Sequence, residues 1–344
     1  MKSKKLSRFF LVLALGVTLT ATLQFYVGKP SLYGPRQSYW GESTLKLHSA
    51  ILTNKLQKGD TWTSLGANST NLRVGVVYLA EWLHRFSGKS LFSIYFWIDN
   101  AALTINFVFL FYFLLLFFSA EWALSGTLFF YASQITTYFN HYFHPWDRLS
   151  LSFWIMVLAL GYVAKKAQDY LILSSIFFLG IFIKFDLVCA TGVLFVFCWF
   201  APGMRPKALI PLFLFLVGFG ILSFLAYLRP GGSPLDFTSL SLYKQIILGN
   251  LAYIKEYGFI YPPNLVFTLP LVIGLFGLKQ MNLFARICFL LGTLALPAYF
   301  ISSWFHETRA EMPYFLLMLP GTIVGLKTIF ESAGENSDTV RTID

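Results

Sequence analysis

The chain has 344 residues, of which 56% are hydrophobic, 19% aromatic and only 12% charged. A water-soluble chain of this length carries about 25% charged residues, so the composition excludes an ordinary soluble globular protein. The net charge is +10, from 26 basic and 16 acidic residues. No basic stripe with interleaved aromatics lies outside the apolar runs, which excludes nucleic acid as the partner that this charge serves.

The apolar runs are continuous, without the alternation of a barrel strand. The expected fold class is therefore an all-α polytopic membrane protein with about ten transmembrane helices, near 9–27, 91–118, 122–139, 148–164, 170–183, 186–201, 208–228, 263–278, 284–304 and 312–328. The start, "MKSKKLSRFFLV", has the basic flank and apolar core of a signal peptide. It lacks a clear small-residue cleavage site, so it reads as a retained first span, with cleavage as the alternative.

A long outer loop follows, from about 28 to 90. In "VGVVYLAEWLHRFSG", Val76, Leu79, Trp82, Leu83 and Phe86 form one stripe, with Glu81, His84 and Arg85 opposite. That is the pattern of an amphipathic helix lying at the membrane interface. It is either a plain cover or the lid of a site open to lipid. "GESTLKLHSAILTNKLQKG" is a second candidate surface helix in this loop.

Between the third and fourth spans lies "YFNHYFHPWDRLS", Tyr138–Ser150, which holds His141, His144, Asp147 and Arg148. The fifth and sixth spans are short and share the turn "IKFDL", with Lys184 and Asp186. "RPGGSPLDF" and "YPPN" are loop punctuation, and "LSLYKQIILGNLAYIKEYG" between them suggests another surface helix. The last outer turn is "HETRAE", with His306 and Arg309. Cys189, Cys198 and Cys288 lie in apolar runs without metal-ligand spacing and read as small buried hydrophobes.

Positive charge sets the orientation. Lys2, Lys4, Lys5 and Arg8 open the chain. The basic loops that follow carry Lys165 and Lys166, then Arg205 and Lys207, then Lys279 and Arg286, and Lys327 follows the last span. Basic loops stay cytoplasmic, so both termini are expected there. This accounts for part of the +10. The other loops face outward and hold all five histidines and many of the acids, giving the chain a working side. Residues 1–330 are expected to form one transmembrane domain, and 331–344 a short cytoplasmic tail.

The order of these features resembles the membrane glycosyltransferases of the GT-C superfamily, which use polyprenyl-phosphate-linked sugars. The residues that carry the resemblance are Glu42 in "YWGESTLKLHSAILTNKLQKGD", Asp147 in "FHPWD", "GIFIK" ending at Lys184, and "HETRAEMPYFLLMLP" with Arg309 and Tyr314. It covers roughly residues 1–330. It implies transfer of a sugar from a polyprenyl-phosphate-sugar donor to a lipid or glycan acceptor, on the outer face of a bacterial inner membrane or a plasma membrane.

That transfer needs a carboxylate to take the acceptor's proton, and cations or a metal ion to hold the phosphate leaving group. Glu42 is the candidate base, against the alternative of an acid favoured by a helix dipole. Asp147 would orient the acceptor, share a metal, or simply pair with adjacent Arg148. Lys184 and Arg309 are the candidate lipid-phosphate cations. Their alternatives are salt bridges, Lys184 with Asp186 and Arg309 with Glu307 or Glu311. His144, His306 and Tyr314 are further candidate substrate contacts.

His141, His144 and Asp147, three residues apart, would align as metal ligands on a helix, but Pro145 limits a helix there. A divalent metal stays open as a cofactor, and no metal ligand is assigned. The competing functions are a transporter or flippase of a lipid-linked saccharide, favoured by buried charge, and a non-catalytic membrane scaffold.

Overall fold

The computed structural model describes residues 2–27, 45, 48–53, 73–140, 145–228, 240–258, 262–302 and 308–340. Among them the chain is helical, with no strand. Four stretches are long and apolar enough to cross a membrane: Leu91–Leu114, Arg205–Leu225, Leu283–Ile301 and Met312–Glu331. Shorter apolar helical stretches among the described residues are Ser7–Thr22, which lies within a longer helix, Ala167–Ile181 and Leu187–Phe200. These are the helices of an integral membrane protein. Among the described residues four helices meet the length and hydropathy of a span, against the ten expected along the chain.

The chain divides into two compact units, Met1–Phe113 with Tyr142–Leu242, and Leu114–His141 with Tyr243–Asp344. The first holds α1 (Lys2–Val27), α2 (Val74–Ser87), nearly all of α3 (Leu91–Leu114), α5 (Pro145–Val163), α6 (Ala167–Ile181), α7 (Leu187–Phe200), a 3-10 turn at Arg205–Ala208, and α8 (Leu209–Leu228). α1 lies against α3, where Gly16 admits Phe107 and the Thr104 hydroxyl donates to Thr20 at 3.2 Å. α6 begins where Asp169 accepts the backbone N–H groups of Lys165 and Lys166 at 2.8 and 2.9 Å, satisfying donors that a helix start leaves open. α5 packs against α6 and α7, and α7 against α8.

The second unit holds α4 (Ala120–Asn140), nearly all of α9 (Leu240–Tyr257), α10 (Pro262–Phe276), α11 (Leu283–Ser302) and α12 (Thr308–Val340). α12 packs on α10, α11 and α4. Its approach to α10 needs glycine: a Cβ on Gly325 would run into the Ile273 carbonyl, and one on Gly277 would sit 2.5 Å from the Gly325 nitrogen. Backbones that close are a common way to pack helices in lipid, where no hydrophobic force drives them together. α12 stays helical to Val340, so part of the expected 331–344 tail is helix.

Cys198 and Cys288 are buried as expected. Cys189 differs. It lies on the exposed side of α7 and fills no core position.

Candidate functional site

The site is built in the first unit, where α2 meets the turn between α6 and α7. α2 buries Val76, Val77 and Ala80 in a cluster with Ile51, Ile94, Tyr95, Ile98, Trp146 and Ile183. Its other face leaves Tyr78, Trp82 and Phe86 exposed, Phe86 at 81%, with the Trp82 and Phe86 rings stacked at 5.7 Å. The helix forms as expected but the stripe is split: Val76 is buried while Leu79, Trp82 and Phe86 are exposed, and Glu81, expected on the opposite face, turns inward to His48. It stops at Gly88, whose left-handed backbone (φ 67°) lets its N–H reach the His84 carbonyl at 2.9 Å.

The amino end of α2 is held on the α6–α7 turn. The Gly75 N–H donates to the Phe182 carbonyl at 2.7 Å, and a Cβ at Gly75 would stand 2.9 Å from that carbonyl. Only glycine permits this approach. The turn itself is tight, because Gly180 lets Leu187 and Phe153 close over it.

Three charged side chains meet there. The Lys184 ammonium lies 3.2 Å from Asp147 Oδ1 and 2.9 Å from Asp186 Oδ2, and only 7% of the lysine side chain is exposed. Asp186 Oδ1 also accepts from the Ser150 hydroxyl at 3.3 Å and the Trp154 indole N–H at 3.4 Å. Asp147 stands in the first turn of α5. The expectation of a loop here is corrected for residues 145 onward. Pro145 opens the helix rather than breaking it, as proline does at a first helical position, where its missing N–H costs nothing.

Arg148 does not turn to its neighbour. Its guanidinium pairs with Asp99 of α3, both side chains being 3% exposed. Two more bonds tie the same helices. Asn106 donates to the Arg148 carbonyl at 2.9 Å, and the Ser152 hydroxyl donates to Asn106 Oδ1 at 2.6 Å. Arg73, just before α2, sets its guanidinium 5.0 Å from the Trp146 ring centroid and 5.8 Å from that of Phe185. Neither Asp99 nor Arg73 is among the residues expected from sequence. A lone acid in the apolar run "YFWIDNAAL" is the signal for the first. A cation directly before an amphipathic helix is the signal for the second.

Beside this cluster His48 is buried between α2 and α3. Its Nδ1 lies 2.7 Å from the Tyr95 hydroxyl and its Nε2 3.1 Å from Glu81 Oε2, while Glu81 Oε1 accepts from Arg85 Nε at 2.6 Å. Burial pushes the imidazole below its ordinary value, against the pull of Glu81. Arg85, and then His48, hold the Glu81 carboxyl low by hydrogen bonding.

Of the expected site residues, Asp147 and Lys184 come together. Glu42, His144 and His306 lie outside the described residues, as does His141 of the suggested metal triplet. Arg309 is in the first turn of α12, in the second unit. Tyr314, on the same helix, is half-buried with its ring 6.2 Å from that of Tyr299. Among the described residues no three His, Cys, Asp or Glu side chains gather as metal ligands. What the cluster offers chemically is a carboxylate, Asp147, fixed by an ammonium, with an aromatic-clamped guanidinium at the same turn. Comparison with family models, curated proteins and solved structures finds no match to this chain.

Proposed function

We propose that the chain is a membrane glycosyltransferase of the GT-C type, moving a sugar from a polyprenyl-phosphate donor to a lipid or glycan acceptor. The observation that carries the reading is the meeting of Asp147 and Lys184, 37 positions apart in sequence, under an amphipathic helix with exposed aromatics. A lipid-phosphate substrate presents its reacting carbon at headgroup depth, and a charged cluster beneath an interfacial helix suits that position.

The acceptor oxygen attacks the anomeric carbon, the bond from that carbon to the phosphate oxygen breaks, and the lipid phosphate leaves with the electron pair. The acceptor proton passes to a carboxylate. Glu42 has that role in the proposal and Asp147 orients the acceptor. Lys184 is engaged by two carboxylates, so it anchors Asp147, and the charge on the departing phosphate falls to Arg73. In this reading the chain has ten spans, both termini in the cytoplasm and its site on the outer face of a bacterial inner or plasma membrane.

The test uses purified chain in lipid nanodiscs with a panel of polyprenyl-phosphate sugars. Release of polyprenyl phosphate is followed, together with donor binding. Turnover is expected with one donor class, and Glu42→Gln should lower it about 10²-fold with donor binding kept. Intact donor moving across a vesicle membrane without cleavage, and no release in any pairing, would replace this reading with transport.

A further inference from the structure

Among the described residues of the first unit, the Asp99–Arg148 pair is the least accessible ion pair, and the proposed chemistry does not use it. It sits on α3, a helix long and apolar enough to span the membrane. Buried ion pairs return little net stability, because desolvation offsets their attraction, and their best-attested use is to set register. Charges inside a membrane helix mark functional places for the same reason.

The geometry points to a register role: Asp99 is a positioning residue that, through Arg148, fixes the rotation of the first turn of α5 and so seats Asp147 on Lys184. α3 grips α5 at one residue twice, by the Asp99 carboxylate on the Arg148 side chain and by Asn106 on the Arg148 carbonyl. Ser152, one turn later on α5, closes the set through Asn106. Consecutive helix residues point about 100° apart. Holding residue 148 toward α3 therefore directs residue 147 away from it, to the α6–α7 turn where Lys184 waits at 3.2 Å.

On the neighbouring side, Trp146 is fully buried in the α2 cluster, so the turn is held on both flanks of Asp147. Apolar packing alone would tolerate a small rotation of α5. The Asp99–Arg148 pair makes it costly, since a few degrees would separate two charges that have no water to turn to. Only the link from Lys184 to catalysis rests on the proposed function; the seating of Asp147 does not.

The test separates the two. The ε-amine of Lys184 is acetylated with an excess of an amine-reactive reagent on folded protein in nanodiscs, and the modified peptide is quantified by mass spectrometry. In the wild type, with its ammonium between two carboxylates, it should react slowly. Asp99→Asn should raise the rate at least about tenfold, the scale of a lost charge contact. Asp99→Glu should restore part of the protection.

Asp99→Leu combined with Arg148→Met replaces the pair by apolar side chains of similar size. It should unfold at the wild-type temperature and still leave Lys184 reactive. Protection equal to wild type in Asp99→Asn, or in the stable double variant, overturns the inference, because packing alone would then seat Asp147. If one of these variants does not fold, the other decides. Sugar transfer, measured alongside, should fall with Lys184 protection. Absence of transfer in the wild type tells against the proposed function and leaves the labelling result to stand on its own.

Discussion

His48 should act as a pH-sensitive pin that holds its segment on α2 and α3. Its Nε2 faces a carboxylate oxygen of Glu81 and its Nδ1 the Tyr95 hydroxyl. One arrangement satisfies every atom with a neutral ring: Nε2–H donates to Glu81 and Nδ1 accepts from Tyr95. A protonated ring would have the Tyr95 hydroxyl turn to accept instead, and would place a charge in a buried position. His48→Ala removes both bonds. Glu81 borders solvent and can be rehydrated, so its loss is not counted. Tyr95 is 3% exposed, and its hydroxyl is left without this partner, which costs roughly 1–3 kcal/mol. Loss of the packed ring adds about 1 kcal/mol or more. A destabilisation of about 2–4 kcal/mol is expected.

The pH dependence has a definite sign. The folded imidazole titrates below its ordinary value because it is buried. Below about 6.5 the unfolded chain binds the proton and the folded one resists. Stability should therefore be level above that value and fall as the pH drops beneath it toward the lowered folded value. Glu81, also held low, contributes a further fall only in the more acidic carboxylate range. Unfolding in mixed micelles, followed by tryptophan emission from pH 8 to 5, reads the histidine limb apart from that of Glu81. A His48→Gln variant should lose the limb just below 6.5. A cost under about 0.5 kcal/mol for His48→Ala, or the same limb in the variant, would show that this histidine is not the pin.

Other outcomes follow from single contacts. Asp99→Ala, which strands Arg148, should cost about 3–5 kcal/mol, and the Asp99→Leu/Arg148→Met pair far less; equal losses would deny that the two charges compensate each other. Gly325→Leu should separate α10 from α12 and destabilise the second unit by about 1–3 kcal/mol. Gly220→Leu on α8, where a Cβ meets nothing within 4 Å, should change little; equal melting of the two variants would refute the close-approach reading. Cysteine placed at 60 should react with an impermeant reagent from outside and cysteine at 166 should not, the reverse pattern overturning the charge-based topology.

Much of the helical order is legible in the sequence because apolar runs and breaks carry it. The expected 208–228 appears as Leu209–Leu228 and 91–118 as Leu91–Leu114. The helix at 74–87 is legible from its apolar spacing, but which residues it buries is not: Val76, Val77 and Ala80 go inside and Trp82 and Phe86 stay out. The pairing of charges is not. Asp147 and Arg148 are adjacent in sequence, yet neighbours on a helix face different ways, so each finds a partner from a distant element. Asp99 is hard to see because its run is otherwise apolar and its partner lies 49 positions on. Pro145 misleads for a related reason: whether proline breaks a helix or starts one depends on the residues before it, which local composition does not decide.

The lengths of α6 and α7 bear on how the charged turn is reached. With 15 and 14 residues, each is roughly 21–22 Å long at about 1.5 Å per residue, against about 30 Å of hydrocarbon. Their far ends carry interface anchors: Lys165 and Lys166 before α6, and exposed Trp199 and Phe200 with Arg205 and Lys207 after α7. With those ends at one surface of the hydrocarbon, the Lys184 turn stops roughly 8 Å short of its opposite edge. Charge at that depth needs protein partners, and Asp147, Ser150 and Trp154 supply them. Under the proposed function, a lipid phosphate would come down to the site beside α2 rather than meet it in open water. In a background with Cys189, Cys198 and Cys288 replaced, cysteine at Phe185 should react with a charged thiol reagent roughly tenfold more slowly than cysteine at Ser90, because ions enter such a recess reluctantly. Equal rates at the two positions would put the turn at the surface and remove the reason for a recessed site.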